Sequence, residues 1–232
     1  MSYLKQTINN KSIIKKLSHR KRFKVATTLF NLKPNESIID YGTGNGHLLI
    51  TLAELYPESN IFGYEPIGSM FKELQDGIKR SGLKNIHVVQ NLEEVTDKAF
   101  NYVSCFEVLE HFSKTHQQKH IQAIKNLISS DGEIIISVPI ETGLSSLFKN
   151  SVRFFVKQQH GNSSLKNIVR SVFSLPINRN DTEYINSHIG FNYKILEEIL
   201  RSEHLHIKSK HYSPFKFFYG ILNSQVFYCL KK

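Results

Sequence analysis

The chain predicts an α/β fold, a mostly parallel sheet with helices on both faces. Short apolar, β-branched runs alternate with longer helix-like stretches between about residue 37 and residue 139. These runs are apolar nearly throughout, as strands covered on both faces are. A glycine cluster, Gly42-Thr43-Gly44-Asn45-Gly46, sits between the first run and the first helix pattern, where α/β sheets bind ligands.

Residues 12–32 carry Ile13, Ile14, Leu17, Phe23, Val25, Leu29 and Phe30 at roughly helical spacing with basic residues between, until Pro34 interrupts. Residues 1–33 thus read as a basic, helical N-terminal region. Ser37–Tyr41 is the first strand, and Gly46–Leu55 the first helix of the alternating part, ended by Tyr56-Pro57. Asn60–Tyr64 is the second strand. Ser69–Ser81 is a helix with Gly82 as its stop. Asn85–Val89 and Tyr102–Phe106 are the third and fourth strands. Lys114–Ile128 is an amphipathic helix, Ser130-Asp131-Gly132 a turn, and Glu133–Val138 the fifth strand, ended by Pro139. Residues 141–190 break the rhythm with a basic, aromatic stretch too long for a bare loop, so a helical insertion or lid is expected there. In it, Lys149, Arg153 and Lys157 recur along a helix whose apolar side fits a lid, core packing or an anionic membrane surface. Asn192–Arg201 is a helix, and His204–His211 and Ser224–Leu230 are closing strands.

With 232 residues, 40% hydrophobic and 22% charged, the composition suits one globular domain spanning 1–232. Two cysteines, Cys105 and Cys229, cannot build a disulfide framework or a thiolate zinc site. A reducing, cytoplasmic location is expected, with no signal peptide and no spanning segment. The net charge of +10 is unevenly spread, because residues 1–33 and 142–180 contain no acid while the stretch between them is acidic. Such a field favours an anionic partner: nucleic acid, a phosphorylated metabolite or a membrane surface. A general Lys-, Asn- and Ile-rich bias accounts for it equally well.

The glycine loop has the form G-x-G-x-G, with Asp40 two residues before its first glycine. It is neither the dinucleotide fingerprint nor a phosphate-binding Walker loop. Its context is Glu65, at the end of the second strand and about twenty residues on, where a carboxylate can accept both hydroxyls of a ribose.

The ordered segments IIDYGTGNG, GYEPIGSMF, VVQNLEEV, YVSCFEVLEHF and GEIIISVP resemble the class I S-adenosylmethionine (SAM)-dependent methyltransferases. The resemblance covers about Glu36 to Val138. It implies a Rossmann-like, seven-stranded sheet with an antiparallel last strand, and SAM as cofactor. It also implies that Asp40 meets the cofactor's amino-acid end and that Gly42, Gly44 and Gly46 shape the loop beneath it. Glu65 would hold the ribose, Ile67 or Met70 would flank the adenine, and Phe106 would border the site. Where such families often carry an acid for the adenine amine, this chain has Asn91 and Leu92, through side chain and backbone respectively.

Glu107-Val108-Leu109-Glu110-His111 follows the fourth strand. If it continues as helix, Glu107, Glu110 and His111 share one face. Three readings stay open. Glu110 and His111, with His188, serve a hydroxyl acceptor as acid, base or orienting groups. Alternatively, the two glutamates and His111 bind a divalent metal with His188, as the resemblance to ubiquinone-pathway and small-RNA 2′-O-methyltransferases implies. In the third reading the segment only opens a helix, where acids are favoured. The expected acceptor is a small-molecule, lipid-linked or sugar hydroxyl. An RNA methyltransferase is the main alternative, and a non-catalytic SAM-binding or membrane-surface protein the other.

Overall fold

A computed structural model describes residues 22–141, 184–185, 191–215, 219 and 223–232. Most of the basic N-terminal region and of the expected insertion lies outside these residues, as does His188.

Residues 22–27 are helical, as the N-terminal pattern predicts. The elements that follow are β1 (Ser37–Tyr41), α1 (His47–Leu55), β2 (Asn60–Tyr64), α2 (Gly68–Ser81), β3 (Ile86–Val89) and β4 (Phe100–Phe106). Then come α3 (Lys114–Leu127), β5 (Ile128–Pro139), α4 (Tyr193–Ser202), β6 (His206–Ser213) and β7 (Gln225–Lys231). The sheet has seven strands in the order β3-β2-β1-β4-β5-β7-β6. β1 pairs in parallel with both β2 and β4, and β2 pairs in parallel with β3. The closing strand runs the other way. The Ile140 N–H donates to the Ser224 carbonyl at 3.0 Å, so the end of β5 meets the start of β7. The fold class expected from the alternation is therefore the one observed.

Two boundaries differ instructively from the sequence reading. β4 begins at Phe100, because Asn101, which looks like a loop residue, uses its Oδ1 to accept the Ser37 N–H at 2.9 Å. β5 begins at Ile128 and runs through the expected turn. The chain nevertheless folds tightly there, since a Cβ on Gly132 would stand 2.6 Å from the Ile128 side chain.

The chain divides into two compact units. The first comprises Met1–Phe106, Ala123–Ile136 and Cys229–Lys232. Its core joins Ile38, Leu49, Leu52, Ile61, Leu74 and Ile135, each fully buried. The second comprises Glu107–Gln122 and Ser137–Tyr228. There α4 turns Leu196, Ile199 and Leu200 inward, and Asn192 caps it by accepting the Lys194 N–H at 3.0 Å. Glu197, on the buried side of α4, accepts from the Tyr228 hydroxyl at 3.0 Å and the Lys210 ammonium at 2.7 Å.

Candidate functional site

In the first unit, β1 delivers Asp40 and Tyr41 to the glycine loop. Gly42, Gly44 and Gly46 all have positive φ, 79°, 58° and 73°. At Gly46 the demand is double. It is the left-handed cap of α1, and a Cβ there would stand 2.4 Å from Leu74 Cδ1. The Gly42 and Thr43 N–H groups both donate to the Tyr64 carbonyl, at 2.9 and 3.0 Å, which ties the loop to the end of β2.

Glu65 is the next residue and is only 3% exposed. Its Oε2 accepts the Gly44 N–H at 2.9 Å and its Oε1 accepts the Ile67 N–H at 3.0 Å. The carboxylate thus links the glycine loop to the start of α2. Each oxygen retains lone-pair capacity beyond that one bond. Met70 lies over the loop, its Cε 3.6 Å from where a Gly44 Cβ would stand, while the Ile67 side chain is exposed.

Asp40 is buried, and its Oδ1 accepts the Ser104 hydroxyl at 2.6 Å. The two residues are register partners on β1 and β4. Burial pushes the Asp40 carboxyl up to about 6, with a smaller push from Glu65, against the lowering effect of the Ser104 and Thr43 hydroxyls. Phe106 ends β4 and packs on Phe30, with ring centroids 6.3 Å apart. Asn91 opens a short 3₁₀ turn, Leu92–Val95, in a capping box. Its N–H donates to Glu94 Oε1 at 3.0 Å, and the Glu94 N–H donates back to the Asn91 carbonyl at 3.3 Å.

The donor set fits the nucleoside-sulfonium cofactor that the resemblance implies. A buried carboxylate beside a cleared glycine loop suits an ammonium, and a held Glu65 suits a ribose diol. The Ile67 and Met70 side chains suit an adenine face.

The second unit holds the EVLEH segment, which does not continue as α-helix. Glu107 has φ 57°, a left-handed conformation uncommon for a side-chain-bearing residue. Only Leu109–His111 turn, as a 3₁₀ helix. Glu107 therefore does not share a helical face with Glu110 and His111. Its N–H donates to the Ser137 carbonyl at 3.0 Å, and its Oε1 accepts the Gln225 amide at 2.8 Å. The same amide donates to the Ser137 hydroxyl at 2.8 Å. Glu110 is fully buried. His111 Nδ1 lies 3.0 Å from the Ile185 carbonyl, which can only accept, so Nδ1 carries the proton. In the neutral ring Nε2 then holds the lone pair. Tyr184 stacks on this ring at 5.0 Å and 8°, and the Ile185 N–H donates to the His111 carbonyl at 2.7 Å. Among the described residues, no three His, Cys, Asp or Glu side chains cluster as metal ligands.

Sequence reading missed Ser104 and Gln225. The available signal was a polar residue inside YVSCF and another opening QVFYCL, both buried.

A family model described as "Methyltransferase domain" matches residues 14–170. One curated relative is the ribosomal RNA small subunit methyltransferase G of Cytophaga hutchinsonii, 37% identical over 73 residues, which are 31% of this chain and 35% of that protein. The chain spans half or less of the length of the curated relatives it matches. Among solved structures, a SAM-dependent methyltransferase from Clostridium acetobutylicum aligns with TM-score 0.61 at 14% identity, over 98% of this chain and 95% of that one. The magnesium protoporphyrin IX methyltransferase of Synechocystis, solved with bound S-adenosylhomocysteine (SAH), aligns with TM-score 0.58 at 14% identity, over 95% and 88%. At these identities the structural likeness concerns the fold.

Proposed function

The chain belongs to the methyltransferase-domain family, and on that premise we propose that it is a SAM-dependent O-methyltransferase. The observation that carries the reading is the buried Glu65 carboxylate, held by the Gly44 and Ile67 N–H groups at the end of β2. Asp40 would take the cofactor's ammonium, Gly42, Gly44 and Gly46 would admit its backbone-side edge, and Glu65 would accept from its ribose. Ile67 and Met70 would cover the adenine, near the Asn91-Leu92 turn. The cofactor supplies a methyl group on a cationic sulfur.

The acceptor we favour is a small-molecule, lipid-linked or sugar hydroxyl. Such a group gains nucleophilicity when its proton leaves. His111 suits that task, because its Nδ1–H is committed to the Ile185 carbonyl and Nε2 is the basic nitrogen. In that role His111 Nε2 would take the acceptor's proton. Glu110 would orient this segment, and His188 would complete the acceptor side. Cytoplasmic work is in keeping with Cys105 and Cys229, both buried and outside any disulfide. No helix among the described residues is long and apolar enough to cross a membrane.

The test is a calorimetric titration of the protein with SAM and SAH, beside Asp40→Ala. Micromolar binding weakened by the substitution supports the reading. A folded, ligand-free protein that binds neither ligand refutes it. RNA is the second reading, favoured by the acid-free basic stretches 1–33 and 142–180 and by the ribosomal RNA relative. It predicts RNA affinity that falls steeply with salt, and salt-independent or absent binding would exclude it.

A further inference from the structure

We propose that Ser104 is a positioning residue for cofactor binding, which holds Asp40 as an ionised, correctly aimed partner for the ligand's ammonium group. The inference rests on the proposed cofactor and adds a residue that the glycine-loop motif does not include.

The geometry is specific. Ser104 is fully buried, and its hydroxyl donates to Asp40 Oδ1 at 2.6 Å. The two residues face each other across the parallel β1–β4 ladder, so the sheet itself sets the approach. Neighbours of Ser104 on β4 are apolar: Val103 and Cys105 are also fully buried. A hydroxyl in such a strand needs a buried partner, and the partner it has is the acid that precedes the glycine loop.

The electrostatic setting gives that bond a task. Burial disfavours the charged form of Asp40, and Glu65 at the end of β2 pushes in the same direction. Against both stand the hydroxyls of Ser104 and Thr43. A hydroxyl that donates to the carboxylate stabilises the charged form and leaves the other oxygen for the ligand. Without Ser104, Asp40 would hold its proton to higher pH. It would then meet the cofactor as a neutral acid, able to offer only a weaker bond to an ammonium.

The test uses three compounds of defined structure: SAM, SAH and 5′-methylthioadenosine, which keeps the ribose and adenine and lacks the amino-acid end. Their dissociation constants are measured by calorimetry between pH 5 and 8 for wild type, Ser104→Ala and Ser104→Thr. For wild type, SAH affinity should rise with pH through about 6 and then level off, as Asp40 ionises. In Ser104→Ala, SAM and SAH should bind about tenfold more weakly at pH 7, with the rise moved to higher pH. Methylthioadenosine should bind both proteins equally, which also shows that the variant is folded. Ser104→Thr retains a hydroxyl and should restore most of the affinity. In an Asp40→Asn background the Ser104→Ala effect should vanish.

The proposal is overturned if Ser104→Ala leaves SAH affinity and its pH profile at wild-type values. It is equally overturned if methylthioadenosine loses as much affinity as SAH, since the loss would then be general damage to the loop. If Ser104→Ala does not fold, Ser104→Cys, whose thiol is a weaker donor, takes its place and is read against the same two outcomes. Failure of wild type to bind SAM or SAH is a separate outcome, and it removes the proposed cofactor itself.

Discussion

Replacing Glu65 by Gln isolates what its charge and its two acceptors do. Volume is kept, but one oxygen becomes an NH2, which donates and cannot accept. In the wild-type protein each oxygen already accepts a backbone N–H, from Gly44 at 2.9 Å and from Ile67 at 3.0 Å. In Glu65→Gln one of those N–H groups must face another donor inside a residue only 3% exposed. That loss is present with or without ligand, so it reads out as stability. At about 2 kcal/mol for a hydrogen bond to a charged group, the ligand-free protein should melt roughly 4–8 °C lower. The ribose also loses one charged acceptor, and this part reads out as affinity. A loss of about 1.5–3 kcal/mol corresponds to roughly 10- to 100-fold weaker SAH binding. Circular-dichroism melting and calorimetric titration separate the two effects. Wild-type SAH affinity in the Gln variant would refute the assignment of the ribose to Glu65.

Four other substitutions have outcomes that follow from the same structure. Asp40→Asn should stabilise the fold above pH 7 by about 3 kcal/mol while abolishing tight SAM binding. The sign follows from Asp40, whose carboxyl is raised to about 6 in the folded chain against 3.8 for an unperturbed one. The cost of its burial is present in full above 6 and fades as pH falls towards 4, so the two proteins' chemical-denaturation midpoints should converge there. Gly46→Ala should cost about 2–4 kcal/mol, because it combines a left-handed φ with a Cβ 2.4 Å from the buried Leu74. Gly82→Ala, also left-handed at φ 71° but with nothing within 4 Å, should cost only about 1 kcal/mol, both variants being measured by urea titration. Glu197→Leu should lower stability by about 2–3 kcal/mol in thermal melting, since it strips the buried Tyr228 hydroxyl and Lys210 of their shared acceptor. An unchanged melting temperature would mean that this cluster is not stabilising.

Much of this molecule is legible without coordinates, and the reason is locality. Strands such as Ser37–Tyr41 and Asn60–Tyr64 are short apolar runs whose period and bounding glycines or prolines are visible within a few residues, and both occur where expected. The stop at Gly82 is equally local. The glycine loop, Asp40 and Glu65 could be placed together because a strand–loop–helix–strand unit has nearly fixed geometry. Tertiary structure alone decided what those residues touch. Asp40 finds Ser104 across 64 positions of chain, and Glu107 finds Gln225 across 118. Such pairings depend on which strands become neighbours, and nothing in the spacing of either residue records that. The EVLEH segment shows the same limit. Its i, i+3, i+4 pattern is helical on paper, yet packing at the end of β4 holds Glu107 left-handed and leaves only a 3₁₀ turn for Glu110 and His111. Local propensity is worth a fraction of a kcal/mol per residue, and a few buried hydrogen bonds between strands outweigh it.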